Sequence, residues 1–120
     1  MGTITKNFSF SEFACSCGKC SFVDGYQIDN KLVRDLQIIR NGFGKEIRIN
    51  SGLRCADFNR SIGGSPNSYH VLARACDISC TTSRDRYLLV RLALGLGLAV
   101  GISKTFIHID NRETPIIFLY

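Results

Sequence analysis

The 120-residue chain has no apolar run approaching the roughly 20 residues that a membrane-spanning helix needs, so no span is expected. Nor does Met1-Gly2-Thr3-Ile4-Thr5-Lys6 carry the basic region and apolar stretch of a secretory signal, which points to synthesis in the cytoplasm without a signal peptide. Internal repeats and low-complexity segments are missing, and the length suits one domain over residues 1–120, a monomer with a modest core. Histidine is scarce. His70 and His108 are the only two, and each lies within a few residues of an aspartate.

Fifteen Lys and Arg against ten Asp and Glu give a net charge of +5, but the basic residues are scattered (Arg34, Arg40, Lys45, Arg48, Arg54, Arg60, Arg74). A nucleic-acid binder more often shows a clustered stripe interleaved with aromatics, so no nucleic-acid partner is expected. The excess suits either attraction to a polyanion such as an acidic cell wall or simply a soluble surface. Six cysteines are many for this length: Cys15, Cys17 and Cys20, then Cys55, Cys76 and Cys80. The first three with Cys55 are one possible structural zinc set, but the spacing is not strong and disulfides or buried thiols are preferred. Cys76 and Cys80 would stand roughly 13 Å apart on a regular strand and cannot bridge each other. They read as core packing or as partners for the N-terminal cysteines.

The hydrophobic pattern predicts an α+β fold, a small, largely antiparallel sheet with helices on one face. Phe-Ser-Phe-Ser-Glu-Phe at 8–13 predicts an arm whose phenylalanines pack on the core. Leu32, Leu36, Ile39 and Phe43 recur at helical steps, with Asp29 or Asn30 to cap the start and Gly42 or Gly44 to end the helix. A short helix is expected between Cys55 and Ile62, and another after Thr82, with Asp85 in capping-box register. Strands are expected at 46–50, 75–80, 99–102, 105–110 and 115–119. Successive strand residues face opposite sides, so Cys76, Ile78 and Cys80 share one face while Asp77 takes the other. Likewise Phe106, His108 and Asp110 oppose Ile107 and Ile109. Gly95-x-Gly97 with Gly101 follows a helix instead of opening one, which excludes a dinucleotide loop.

His70, Asp77 and His108 are therefore the raw material of a zinc site: two imidazoles and one carboxylate, with a fourth position left for water as in catalytic sites. The whole set, Ile49-Asn50-Ser51-Gly52-Leu53-Arg54, Asn59, Gly63-Gly64, Ser68-x-His70, Ala75-x-Asp77 and Phe106-Ile107-His108-Ile109-Asp110-x-Arg112, resembles the ordered signature of the zinc D-Ala-D-Ala peptidase family. The likeness is nearest to small single-domain members common in phages, and covers nearly the whole chain.

The resemblance implies that His70, Asp77 and His108 bind Zn²⁺ and that Arg54 faces the substrate, whose carboxylate its planar guanidinium fork suits. Ser68 either donates to substrate or closes the loop before His70. The implied activity is metal-assisted hydrolysis of stem-peptide bonds in peptidoglycan at the bacterial cell wall, as a D,D-carboxypeptidase or an endolysin-like endopeptidase. Two departures stand out. Better-described members carry an acidic residue or histidine three positions before the last zinc-binding histidine, where this chain has Thr105, and Ala73 occupies a usual glycine position. Asp110, on the strand face of His108, is the candidate general base, its competing role being support of the ligands or an ion pair with Arg112. A catalytically silent zinc-binding module that holds wall peptide or a protein partner is the rival expectation.

Overall fold

The structure, a computed structural model, describes residues 3–120. Met1 and Gly2, part of the stretch read for a signal, lie outside it. An N-terminal hairpin, β1 (Thr3–Thr5) and β2 (Phe8–Ser9), leads into a 3-10 turn over Phe10–Phe13. Helix α1 (Asn30–Phe43) follows, then β3 (Ile49–Ser51), α2 (Ala56–Ser61), β4 (Ala75–Ser79), α3 (Ser83–Gly95), β5 (Ala99–Ile102), β6 (Phe106–Asp110) and β7 (Ile117–Leu119). The five-stranded sheet has the order β3-β4-β6-β5-β7.

The helix ends follow local chemistry. The Asp29 carboxylate accepts from the Leu32 amide at 3.0 Å, satisfying one of the orphan donors of α1, and Gly44 ends the helix at φ 80°, where a side chain would be strained. Thr82 caps α3 by accepting from the Asp85 amide, and Cys55 stands at the N-cap of α2. Leu32, Val33, Leu36 and Ile39 of α1 are buried with Ile78, Ile107 and Ile109 of the sheet and Leu89 of α3. The arm delivers Phe8 and Phe13 to this core, each fully buried ring contributing on the order of 2–3 kcal/mol of apolar burial.

Pairing β4 against β6 in register Asp77↔His108 places these two residues side by side on the face away from the isoleucines. The sheet is antiparallel from β3 through β5, but β7 runs parallel to β5, so the expected antiparallel sheet ends in one parallel pair. Residues 111–116 carry the chain from β6 past β5, two strand spacings or roughly 10 Å, which six residues span easily. The strand expected at 46–50 is centred later, at Ile49–Ser51, although Arg48 still accepts from the Ser79 amide at 2.9 Å. Cys76 and Cys80 are buried in the core and, like the other four cysteines, free. They do not pair with the N-terminal cysteines.

Candidate metal centre

Three elements bring the site together. His70 comes from the loop between α2 and β4, Asp77 from the middle of β4 and His108 from the middle of β6. All three are buried, with 2%, 5% and 4% of their surface exposed. One ligand atom from each lies within 4.8 Å of the others.

Hydrogen bonds fix which atoms those are. His70 Nδ1 lies 2.7 Å from the Gly52 carbonyl, which can only accept, so Nδ1 carries the proton and Nε2 presents a lone pair. His108 Nε2 lies 2.7 Å from Asp110 Oδ2, and an ionised carboxylate can again only accept. The lone pair of His108 is therefore on Nδ1. Both lone pairs face one oxygen: His70 Nε2 is 3.2 Å and His108 Nδ1 is 3.0 Å from Asp77 Oδ1. Three electron-rich atoms converging in a buried place require a cation or a shared proton between them. The donor set, two imidazoles and a carboxylate oxygen, fits Zn²⁺.

The electrostatics follow from this convergence. Burial opposes ionisation of Asp77, yet the hydrogen bonds and charge of His108 and His70 outweigh it and hold its carboxyl down at about 2. For His108 burial again disfavours the charged form, but the hydrogen bonds to Asp110 and Asp77 win and raise its pKa above the usual 6.5. Asp110 is fully buried, and burial is overcome by the Arg112 guanidinium, His108 and the Arg112 amide, so its pKa falls below the usual range. Both its oxygens are engaged. Arg112 donates from Nε and its backbone N–H to Oδ1 at 2.8 and 3.1 Å, and from Nη2 to Oδ2 at 2.6 Å.

Arg54 lies on the other side of Asp77. Its Nη2 donates to Asp77 Oδ2 at 3.3 Å, its Nε to Ser51 Oγ at 3.2 Å and its Nη1 to Asn59 Oδ1 at 3.2 Å. Three of five N–H groups are thereby used, leaving one on each terminal nitrogen. Asn59, which the motif contained, steadies this arrangement by donating to the Ser65 carbonyl at 2.8 Å. Ser68 Oγ accepts from the His70 amide at 3.2 Å, so the hydroxyl does close the loop, and it also lines the cleft. Ala73, at the usual glycine position, has φ 65° and is the one non-glycine residue with positive φ among those described.

Above the triad opens a cleft of about 630 Å³ whose lining includes Arg54, Ser68, Tyr69, Arg112, Phe118 and Tyr120. The aromatic wall was not anticipated. Phe118 lies 5.3 Å from the His108 ring, Tyr120 packs at 5.5 Å on Phe118, and Arg112 sits 4.5 Å above Tyr69. Gly101 makes room for it, since a Cβ there would meet the Phe118 ring at 2.5–2.6 Å. The sequence signal was the alternation Ile117-Phe118-Leu119-Tyr120, which places both rings on one strand face.

A family model described as Peptidase M15 matches residues 6–110. The chain belongs to the Peptidase M15 family, the zinc D-Ala-D-Ala peptidases. A search of the curated proteins finds no match. The matched span of this peptidase contains the three candidate metal ligands together with Arg54 and Asp110, whereas Arg112 and the aromatic wall on β7 follow it. Thr105, three positions before His108, is exposed and is not among the residues lining the cleft.

Proposed function

We propose that this peptidase hydrolyses stem-peptide bonds of bacterial peptidoglycan, releasing a terminal D-alanine as a D,D-carboxypeptidase or cutting within the stem as an endolysin-like endopeptidase. The observation that carries the reading is the convergence of His70 Nε2, Asp77 Oδ1 and His108 Nδ1 on the floor of an open cleft. Zinc bound there would polarise the scissile carbonyl and acidify a water.

The protein's own groups do the rest. Gly52 and Asp110 hold the two imidazoles in the tautomers that leave their lone pairs on the metal side. Arg54, steadied by Ser51, Asn59 and Asp77, keeps one N–H on each terminal nitrogen, and this pair grips a substrate carboxylate. Phe118 and Tyr120 supply an apolar wall that excludes water from one side of the bound peptide. Asp110, the sequence candidate for general base, acts through His108 as a positioning residue, because it is buried with both oxygens already accepting. Action at the cell wall agrees with the net charge of +5, which favours approach to an anionic polymer.

One observation favours the silent zinc-binding module. Among the described residues lining the cleft, Asp77 is the sole carboxylate, and Asp77 is itself a ligand candidate. Purified peptidoglycan separates the two readings. Release of D-alanine or of new amino groups that is abolished by chelation and by His108→Ala supports hydrolysis. A protein that retains zinc at the triad but releases nothing from several wall types is the binding module.

A further inference from the structure

A second cluster of metal-ligating side chains lies apart from the triad. Cys15, Cys17 and Cys20 follow the 3-10 turn, and Cys55 stands between Arg54 and α2. In sequence Cys20 and Cys55 stand 35 positions apart, yet all four sulfurs lie within 4.8 Å of one another. We propose that these four thiolates bind a structural zinc ion that ties the N-terminal arm to the segment carrying Arg54.

The geometry supports zinc over disulfides in three ways. First, a tetrahedron with Zn–S bonds of about 2.3 Å has edges of about 3.8 Å, and Cys17 Sγ lies 3.9 Å from Cys55 Sγ. Second, the four sulfurs form one mutual group, whereas disulfides would draw them into two separate pairs. Third, backbone amides point at the sulfurs: Cys55 N–H donates to Cys15 Sγ at 3.4 Å, Phe22 N–H to Cys20 Sγ at 3.3 Å and Phe58 N–H to Cys55 Sγ at 3.4 Å. Such donors stabilise the negative charge of a thiolate ligand.

The backbone is shaped for this convergence. Gly18, at φ 73° and with open space around it, lets the loop turn back sharply enough for Cys15, Cys17 and Cys20 to face one point. The Gly18 amide closes that turn on the Cys15 carbonyl at 3.2 Å, and the Cys15 amide donates to Phe22 at 3.1 Å. Cys15 is buried and the others are partly exposed. Four protein sulfurs fill a tetrahedral coordination shell and leave no position for water, which makes the set structural in type. Binding requires only that four thiols release their protons to solvent as zinc enters.

The test counts metal per cluster on the full chain, purified under reducing conditions, by elemental mass spectrometry. Two zinc ions per chain are expected, falling to one in Cys20→Ser and, independently, to one in His108→Ala. Cobalt substitution gives a readout that does not depend on a foldable cysteine variant. His108→Ala protein loaded with Co²⁺ should show intense thiolate-to-cobalt charge-transfer absorption, and its cysteines should resist alkylation until a chelator is added. Wild-type protein with one zinc, undiminished by Cys20→Ser, would overturn the proposal. So would His108→Ala protein lacking the charge-transfer bands, or intact masses showing Cys15, Cys17, Cys20 and Cys55 joined in disulfides. The outcome is independent of whether the triad hydrolyses anything.

Discussion

Replacing Asp110 with asparagine removes one charge from the network behind His108 while keeping its shape. The carboxylate accepts four hydrogen bonds: one from His108 at 2.7 Å and three from Arg112 at 2.6, 2.8 and 3.1 Å. An amide has one accepting oxygen. If that oxygen turns to Arg112, the amide N–H₂ meets His108 Nε2 and pushes the imidazole proton onto Nδ1, the atom that faces Asp77 and the metal position. If it turns to His108, the amide N–H₂ meets the guanidinium. Loss of such a partner costs about 10–100-fold in metal affinity, or roughly 1.4–2.8 kcal/mol. The metal-free fold should lose less than the 3–5 kcal/mol of a broken fully buried pair, because the Arg112 side chain is 21% exposed and can recruit water. Competition with a chromogenic zinc chelator, run beside thermal melts, measures both quantities. The thiolate cluster lies outside the perturbed network and serves as an internal reference. Wild-type zinc affinity in Asp110→Asn together with abolished turnover would refute the reasoning and make Asp110 the proton acceptor.

Three other perturbations probe different parts of the site. Ala73→Gly relieves a left-handed backbone that costs an L-residue about 1–2 kcal/mol, offset by about 0.5–1 kcal/mol of glycine entropy, so a melting temperature higher by a few degrees is expected. Gly64→Ala drives a methyl group into the Asn59 carboxamide, which holds Arg54; KM should rise about tenfold or more with a smaller change in kcat, and an unchanged KM would separate Arg54 from substrate binding. Zinc uptake should be pH-dependent, because His108 in the metal-free chain has a raised pKa and zinc must displace its proton. Apparent affinity is expected to rise as pH climbs above 6.5 and through the raised His108 value, as chelator competition would show. The sign for metal-free stability is opposite: the His108 contribution is fully present below the unfolded value of 6.5 and is lost as pH rises through the folded one.

The parts of the fold that were legible in the sequence are those governed by short-range periodicity. Leucines at helical spacing and an aspartate before them define α1, and alternation in Ala75–Ser79 and Phe106–Asp110 separates Asp77 and His108 from the isoleucines. The triad could be proposed because strand faces are fixed by a period of two. What the sequence left open or hid depends on contacts between distant segments. The meeting of Cys55 with Cys15, Cys17 and Cys20, which the spacing offered only as a less favoured alternative to disulfides or buried thiols, is set by the close packing of Gly52 on the 3-10 turn, where the Leu53 amide donates to the Phe13 carbonyl at 2.8 Å. The parallel pairing of β7, and with it the aromatic wall beside His108, depends on a crossover that periodicity does not report. The left-handed backbone at Ala73 was hidden because alanine gives no local sign of it.

The strict alternation of β6 also determines how this site can change over evolutionary time. Ile107, His108, Ile109 and Asp110 are interleaved so that every second residue belongs to the core and every other one to the metal face. A point substitution here alters one side of the sheet. Deleting or inserting a single residue within β6 would exchange the two sides at once, turning isoleucines toward the cleft and a histidine and an aspartate into the packed interior. Lineages of this domain should therefore vary freely in length at the turns between strands while keeping the lengths of β4 and β6 fixed.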